Sequence, residues 1–335
     1  MLLTGKKPAL SIEITKECPL RCPGCYAYGA DHLGEGSGLR QLSDFRGDEL
    51  VSKFLTLVDE HNPIHLSIVG GDPLVRYREL NQILPELERR GIHVQLVTSA
   101  FRQLPPEWTK LKLLYVVVSI DGLAPEHDKR RAPATYERIL KNIQGHKITV
   151  HCTITSQMMR RAGYLQEFLA FWNNIPEAKR VWMSMYTPQV GERAEEILSQ
   201  SQRSQAVSEL VELRKSYPKL EMKEAVLKAF LRPPATPSEC IFAQTTHSMS
   251  ADLTTVINPC QFGGAPDCSQ CGCIASMGLE ALGRHRVLQV QVRDLFRITT
   301  RVAKLRMRPQ PARGITPDPF PILSSAAKEQ ASTTR

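Results

Sequence analysis

Apolar and polar residues alternate along this chain in two different periods. Period-2 runs at 9–14, 64–69, 92–98, 113–120, 147–155 and 180–186 predict strands, because successive strand side chains point to opposite faces. Stretches with helical spacing lie between them at 44–60, 77–90, 135–144 and 160–173. Ser43 is placed to cap the first of these helices and Gly91 to end the second. The stretch from Pro105 to Lys112 leaves room only for a short helix. Apolar strands that alternate with helices make a parallel sheet covered by helices. Six such units predict an α/β fold, a partial (βα)6 TIM-like barrel, rather than the full eight-fold one.

The polar motifs fall at one end of the predicted strands. Cys18, Cys22 and Cys25 follow the first strand, and Gly70-Gly71-Asp72-Pro73 follows the second. Thr98-Ser99 ends the third, and Ser119-Ile120-Asp121-Gly122 ends the fourth. Thr153 and Thr155 close the fifth, and Tyr186-Thr187-Pro188-Gln189 closes the sixth. The carboxyl ends of strands form the face on which α/β barrels keep their active sites.

The first cysteine loop reads E-C-P-L-R-C-P-G-C-Y, a C-x₃-C-x₂-C spacing. Three thiolates are one short of the four that hold an ordinary cubane cluster, so one iron would stay open to another ligand. Zinc is the alternative: His32 with these three thiols would make a Cys₃His set. A structural zinc site, however, has no need of a place at the strand ends of a barrel.

The spacing resembles the signature of the radical S-adenosylmethionine (SAM) superfamily. The resemblance implies a [4Fe–4S] cluster on Cys18, Cys22 and Cys25, with the amino and carboxylate groups of SAM on the open iron. One electron passed into the sulfonium would then give methionine and a 5′-deoxyadenosyl radical, in an oxygen-sensitive enzyme. The G-G-D-P run resembles the family's G-G-E-P element, which implies that Gly70, Gly71 and Asp72 meet the SAM ammonium. Asp72 is one methylene shorter than the usual Glu. Ser99 and Ser119 resemble strand-end groups that contact the SAM ribose and carboxylate.

The run from Ser119 to Arg131 resembles the S-x-D-G…H-D-x-x-R element of members with an auxiliary C-terminal cluster. It implies that Arg130, or its neighbour Arg131, pairs with the SAM carboxylate through a planar fork. One position departs from the family. The residue before the last cysteine is usually an aromatic close to adenine, and here it is Gly24, with Tyr26 and Tyr28 following. A C-x-G-C ending resembles the members that attach adenosine to hopanoid lipids. A C-Y ending resembles the peptide-modifying branch.

A second cysteine group comprises Cys240 and then Cys260, Cys268, Cys271 and Cys273. Thiols so dense, with Gly263, Gly264 and Gly272 to bend the backbone, predict a metal site. With the resemblance, the expected occupant is an auxiliary [4Fe–4S] cluster on Cys240, Cys260, Cys268 and either Cys271 or Cys273. The last two are too close in sequence to serve one cluster together comfortably. A zinc ribbon is the alternative. The pattern is nearer to the twitch type or to the tail of the hopanoid enzymes than to the seven-cysteine SPASM domain. Cys152 reads as a small buried hydrophobe and His65 and His151 as core or satisfied-polar strand residues, while Glu13, in phase with Ser11 and Thr15, is expected to face the lumen, either as a substrate or SAM contact or as a partnered interior carboxylate.

These readings divide the chain into a core barrel at 1–190, a helical linker at 191–237, a cysteine-rich region at 238–283, and a basic helix with a disordered tail at 284–335. Of the net charge of +9, most comes from the last segment, where eleven Lys or Arg face three Asp or Glu. Leu288, Val292, Leu295, Val302 and Leu305 recur there near helical spacing. This suits either peripheral contact with an anionic membrane or a plain surface helix.

An apolar content of 42% is ordinary for a globular protein. The start, M-L-L-T-G-K-K-P, lacks the apolar core of a secretory signal, and iron–sulfur chemistry needs a reducing compartment, so a cytoplasmic location is expected. No RRM, zinc-finger or helix-turn-helix pattern accompanies the basic segment, so nucleic acid is not the expected partner. The expected partners are a peptide, lipid or small-molecule substrate and an electron donor such as flavodoxin or ferredoxin. Peptide or protein modification is taken first, lipid or metabolite modification second, and a zinc-binding structural protein third.

Overall fold

A computed structural model describes residues 7–287, 290–291 and 293–294 of the 335. Its centre is one parallel sheet. The strands are β1 (Ala9–Glu13), β2 (His65–Val69), β3 (His93–Thr98), β4 (Leu114–Ser119), β5 (Ile148–Ile154), β6 (Ala178–Met185) and β7 (Thr246–Met249). They lie in the order β6-β5-β4-β3-β2-β1-β7, and every pairing is parallel. The six predicted strands are present in sequence order. The seventh comes from the cysteine-rich region and pairs with β1, Leu10 opposite His247. Only four residues long, it carries too little alternation to stand out in the sequence.

The helices follow the apolar stripes. Helix α1 (Gly47–His61) buries Leu50, Phe54, Leu57 and Val58, and α2 (Tyr77–Arg89) buries Leu80, Ile83, Leu84 and Leu87. Both sets repeat every three or four residues, so each lies on the side facing the sheet. Gly91, just past α2, takes a φ of +70°, the left-handed bend that ends a helix. Ser43 does not cap α1, which begins three residues beyond Asp44 with Arg46 at the cap position. Asp44 is held instead by Thr15 Oγ1 at 2.6 Å and an Arg76 nitrogen at 2.8 Å, which fixes the chain before the helix can start.

Two short helices, α3 (Ala124–Arg131) and α4 (Tyr136–Asn142), cross between β4 and β5. The charged run ending at Arg131 is therefore helical, with His127 fully buried against Tyr136. Helix α5 (Tyr164–Asn174) packs Phe168 and Trp172 into the core, and Cys152 on β5 is buried in the same core as a small apolar group. Helices α6 (Gln200–Leu213), α7 (Glu224–Ala229), α8 (Ile241–Thr245) and α9 (Ile274–Gly283) follow, and α7 and α9 pack together. A two-stranded antiparallel ribbon, β8 (Arg286–Val287) with β9 (Val290–Gln291), comes last.

The sheet does not close, since β6 and β7 are its free edges. The cysteine-rich segment spans that gap. It supplies β7 to one edge and runs beside the carboxyl end of β6 at the other. There Met185 N–H donates to Gly272 O at 2.9 Å, and Asp267 N–H to Pro188 O at 2.8 Å. Gly272 lies so close that a Cβ would sit 1.9 Å from Met185 O. Among the described residues no helix is long and apolar enough to cross a membrane. Of the basic helix predicted over 287–307, Val287, Val290 and Gln291 lie instead in the β8–β9 ribbon, whose backbone pairing holds them extended; apart from 293–294 the rest of that segment, and the tail past Arg308, lie outside the described residues.

Candidate active site

Two loops at the carboxyl ends of β1 and β2 are bonded backbone to backbone. Gly71 N–H donates to Thr15 O at 2.7 Å and Asp72 N–H to Glu17 O at 2.9 Å. Only glycine permits this approach: a Cβ on Gly71 would sit 2.1 Å from Glu17 O, and Gly70 has a φ of +130°. Tyr28, one turn past Cys25, braces the same place by donating to Lys16 O at 2.8 Å. The cysteine loop is thus seated directly on the G-G-D-P turn.

Above them opens a cavity of about 550 Å³. Cys18, Cys22 and Cys25 line it together with Gly70, Gly71 and Asp72. Ser99, Ser119 and Arg130 line it from β3, β4 and α3. Every residue expected around the first cluster therefore faces one space. Burial pushes the Cys18 thiol up to about 12 and raises Cys22 and Cys25 too. Buried thiols remain protonated until a metal displaces the proton, so metal loading here releases protons.

Asp72 differs from expectation in where its carboxylate is engaged. Its Oδ1 accepts from Leu74 N–H at 3.0 Å and Thr98 Oγ1 at 2.6 Å, while Oδ2 accepts from Ser99 N–H at 2.8 Å and Ser99 Oγ at 2.5 Å. The two candidates Asp72 and Ser99 therefore bind each other. Ser119 lines the cavity beside His151, its partner across β4 and β5. His151 Nε2 is bonded to Ser184 Oγ at 2.7 Å, and burial holds its pKa down to about 4, so the imidazole is neutral.

Arg130 is spent on protein groups. It donates to Asp121 at 3.0 Å, Glu196 at 2.9 Å and Pro23 O, within the cysteine loop, at 2.8 Å. Arg131 donates through Nε to the same Asp121 oxygen at 2.7 Å, and its terminal nitrogens make no hydrogen bond among the described residues. Burial acts against the Arg131 charge, but Asp121 and the Cys22 and Cys25 thiols outweigh it and raise its pKa. Burial alone would raise Asp121, yet Arg131 and Arg130 hold it down to about 2. Its other oxygen, Oδ1, is buried without a hydrogen-bond partner among the described residues.

Gly24 takes a φ of +61°, and a Cβ there would lie 2.8 Å from the Tyr186 hydroxyl. The aromatic absent before the last cysteine is thus met by Tyr186, from the end of β6, which lines the same cavity. His32 is not a fourth ligand of the first loop. Its Nε2 is bonded to Glu13 at 2.8 Å and its Nδ1 to Phe262 O at 3.0 Å. Glu13 is completed by Ser250 Oγ at 2.7 Å, so this lumen carboxylate is a structural tie between β1 and the cysteine-rich segment.

Cys240, Cys260, Cys268, Cys271 and Cys273 line a second, smaller pocket with Pro237, Phe242 and Phe262. Burial raises Cys260 to about 12 and Cys268 to about 11. Cys273 lines both spaces, so one thiol stands in the wall between them. Among the described residues, no three His, Cys, Asp or Glu side chains are grouped as they would be around a single metal ion. A cubane asks for a different arrangement, with each thiolate on its own iron. The donor set of the first loop fits such a group: three thiols on one cavity, and in its wall an Arg131 fork with free terminal nitrogens.

The sequence reading left several residues unassigned. Tyr186 and Asp121 were legible as strand-end residues but not as cavity walls. His151 fits the satisfied-polar reading through its bond to Ser184 Oγ, and its place in the cavity wall, on the strand face opposite to buried Cys152, is what its sequence position leaves open.

Residues 12–161 match the profile of the Radical SAM superfamily. The Fe-coproporphyrin III synthase of Methanosarcina barkeri is 27% identical over 164 residues, 46% of this chain and 39% of that protein. The chain thus spans about two fifths of that curated relative. Streptococcus suis SuiB bound to the precursor peptide SuiA has a TM-score of 0.52 at 16% identity, covering 73% of this chain and 58% of that one. Native anSMEcpe with bound AdoMet and Cp18Cys peptide has a TM-score of 0.53 at 17% identity, covering 88% and 84%. The profile match over residues 12–161 thus identifies a radical SAM domain, of the superfamily whose enzymes use a [4Fe–4S] cluster and SAM, and the chain shares the parallel α/β fold of these two structures.

Proposed function

We propose that this protein cleaves SAM reductively and uses the radical on a peptide or protein substrate. A reduced [4Fe–4S] cluster on Cys18, Cys22 and Cys25 would supply one electron to the SAM sulfonium, giving methionine and a 5′-deoxyadenosyl radical that attacks the substrate. One observation carries this reading. The three thiols of the first loop share a cavity with the G-G-D-P turn and the polar strand ends.

The chain's own residues divide the work. Gly70 and Gly71 let backbone groups approach the SAM ammonium, and the Asp72–Ser99 pair holds that turn in place. Arg131, with its fork unspent, takes the SAM carboxylate, while Arg130 locks the cysteine loop through Pro23 O. Ser119 reaches the ribose or carboxylate, and Tyr186 forms the aromatic wall beside Gly24. Cys240, Cys260, Cys268 and Cys271 hold an auxiliary [4Fe–4S] cluster, with Cys273 turned to the shared wall. Flavodoxin or ferredoxin supplies the electron, and the site of action is the cytoplasm.

A peptide substrate is favoured because both fold neighbours were captured with peptides. Small-metabolite modification is the second reading, supported by the likeness to a porphyrin-forming enzyme. The test is anaerobic reconstitution with iron and sulfide, followed by reduction with SAM present. The parent should release 5′-deoxyadenosine and Cys22→Ala should release none. Equal release by both would refute the site.

A further inference from the structure

Helix α6 carries a charge where its apolar stripe calls for a hydrophobe. Arg203, Ala206, Val207 and Leu210 form one buried face at helical spacing, and Arg203 is 3% exposed. Its guanidinium donates to three backbone carbonyls: Phe230 O at 3.1 Å, Cys271 O at 3.1 Å and Gln270 O at 2.6 Å. Among the described residues no carboxylate lies within ion-pair distance of it. Arg76, buried to a similar degree, pairs with both Glu17 and Asp44.

On the turn that holds Arg203, Cys271 is a neutral thiol without metal, and the carboxylate is Asp267. Asp267 is already spent on Ser269 and Gln270. A buried arginine cannot shed its proton, and without a counter-ion it is costly. The second cysteine group, directly beside it, is where the missing negative charge belongs.

We propose that Arg203 is a positioning residue that serves as the fixed counter-charge of an iron–sulfur cluster on the second cysteine group and sets that cluster's reduction potential. The inference rests on the auxiliary-cluster reading above. A cubane on four thiolates is anionic and gains further negative charge on reduction. A cation held next to one of its ligands favours the reduced form and raises the potential. The three carbonyl bonds place the guanidinium at the Gln270–Cys271 turn, so loop and charge are delivered by one side chain.

The test is an anaerobic redox titration of the reconstituted full-length protein, followed by electron paramagnetic resonance, with iron counted in each variant. Arg203→Gln removes the charge and retains a donor. Arg203→Lys retains the charge. The second cluster of Arg203→Gln should be harder to reduce, its reduced-to-oxidised ratio at fixed poise falling about tenfold or more, equivalent to about 59 mV for one electron. Arg203→Lys should stay near the parent. A Gln variant that fails to load the second cluster while the Lys variant loads it at the parental potential also supports the proposal.

An unchanged potential in a fully loaded Gln variant overturns it, leaving Arg203 as a backbone clamp. Failure of both variants to load overturns it likewise. If the parent binds only about four irons, and Cys268→Ala lowers neither iron nor sulfide, the auxiliary-cluster reading falls and this inference falls with it. The iron count therefore separates the two failures.

Discussion

Asp72 and Ser99 are joined twice, through the Ser99 backbone N–H at 2.8 Å and its hydroxyl at 2.5 Å, both to the same carboxylate oxygen. The pair bridges the end of β3 to the turn after β2, and with Thr98 and Leu74 it satisfies the carboxylate completely. Asp72→Ala would strand several buried donors, each costing about 1–3 kcal/mol. The expected outcome is a loss of roughly 3 kcal/mol in denaturant unfolding together with weaker SAM binding, since the glycine turn loses its anchor. Asp72→Glu should weaken SAM binding less than Ala. Unaltered unfolding in the Ala variant would remove the anchor role.

Arg130 and Arg131 share one oxygen of Asp121 but differ in what remains free. Arg131→Lys keeps the charge and loses the fork, so equilibrium binding should show SAM affinity down by about tenfold, the scale of one charge-assisted hydrogen bond. Arg130→Lys should act mainly on the cysteine loop, lowering retained iron while SAM affinity in loaded protein changes less. The reverse pattern would exchange the two roles.

Gly24 combines a left-handed backbone with a neighbour that leaves no room for a side chain. Gly24→Ala should cost about 1–3 kcal/mol and reduce iron retained by the first loop. Tyr186→Phe removes the hydroxyl atom nearest the added carbon. The double variant should therefore lose less than the two single losses combined, and strict additivity would show that the two sites do not touch.

Much of this site was legible because its chemistry clusters in sequence at strand ends. The C-x₃-C-x₂-C loop, the G-G-D-P turn and the run to Arg131 each follow an alternating apolar stretch, and the sheet places all three around one cavity. What stayed hidden depends on contacts between distant segments. No local pattern says that His32 will bridge Glu13 to Phe262 O, or that β7 will add to β1. Arg203 did leave a trace, as a charge at the head of a buried helical stripe. The α1 start was misplaced because Asp44 is captured by Arg76 from another turn, an interaction outside any capping rule.

Acid stability should show two limbs. His151 is buried with its pKa held down to about 4, against 6.5 in the unfolded chain, so it opposes protonation in the folded state. Its contribution is complete above pH 6.5 and is lost as the pH falls toward 4. Asp121, depressed from 3.8 to about 2, contributes above pH 3.8 and is lost from there toward 2, worth about 2 kcal/mol. Denaturant midpoints measured against pH should fall along both limbs. His151→Gln should flatten the upper limb, and an unchanged slope there would clear His151 of the effect.

The segment that supplies β7 to one rim of the sheet also grips the other rim at Met185 and Pro188. Cys260, Cys268 and Cys271 lie between those two grips along the chain, with Cys240 just before the first and Cys273 just after the second. The shape of the cavity is thus held in part from outside the six predicted strands, by a stretch of chain that also carries the second cysteine group. Under the auxiliary-cluster reading, stripping or oxidising those thiols would not leave an intact catalyst lacking an accessory. It would unlatch the wall against which the first three cysteines work.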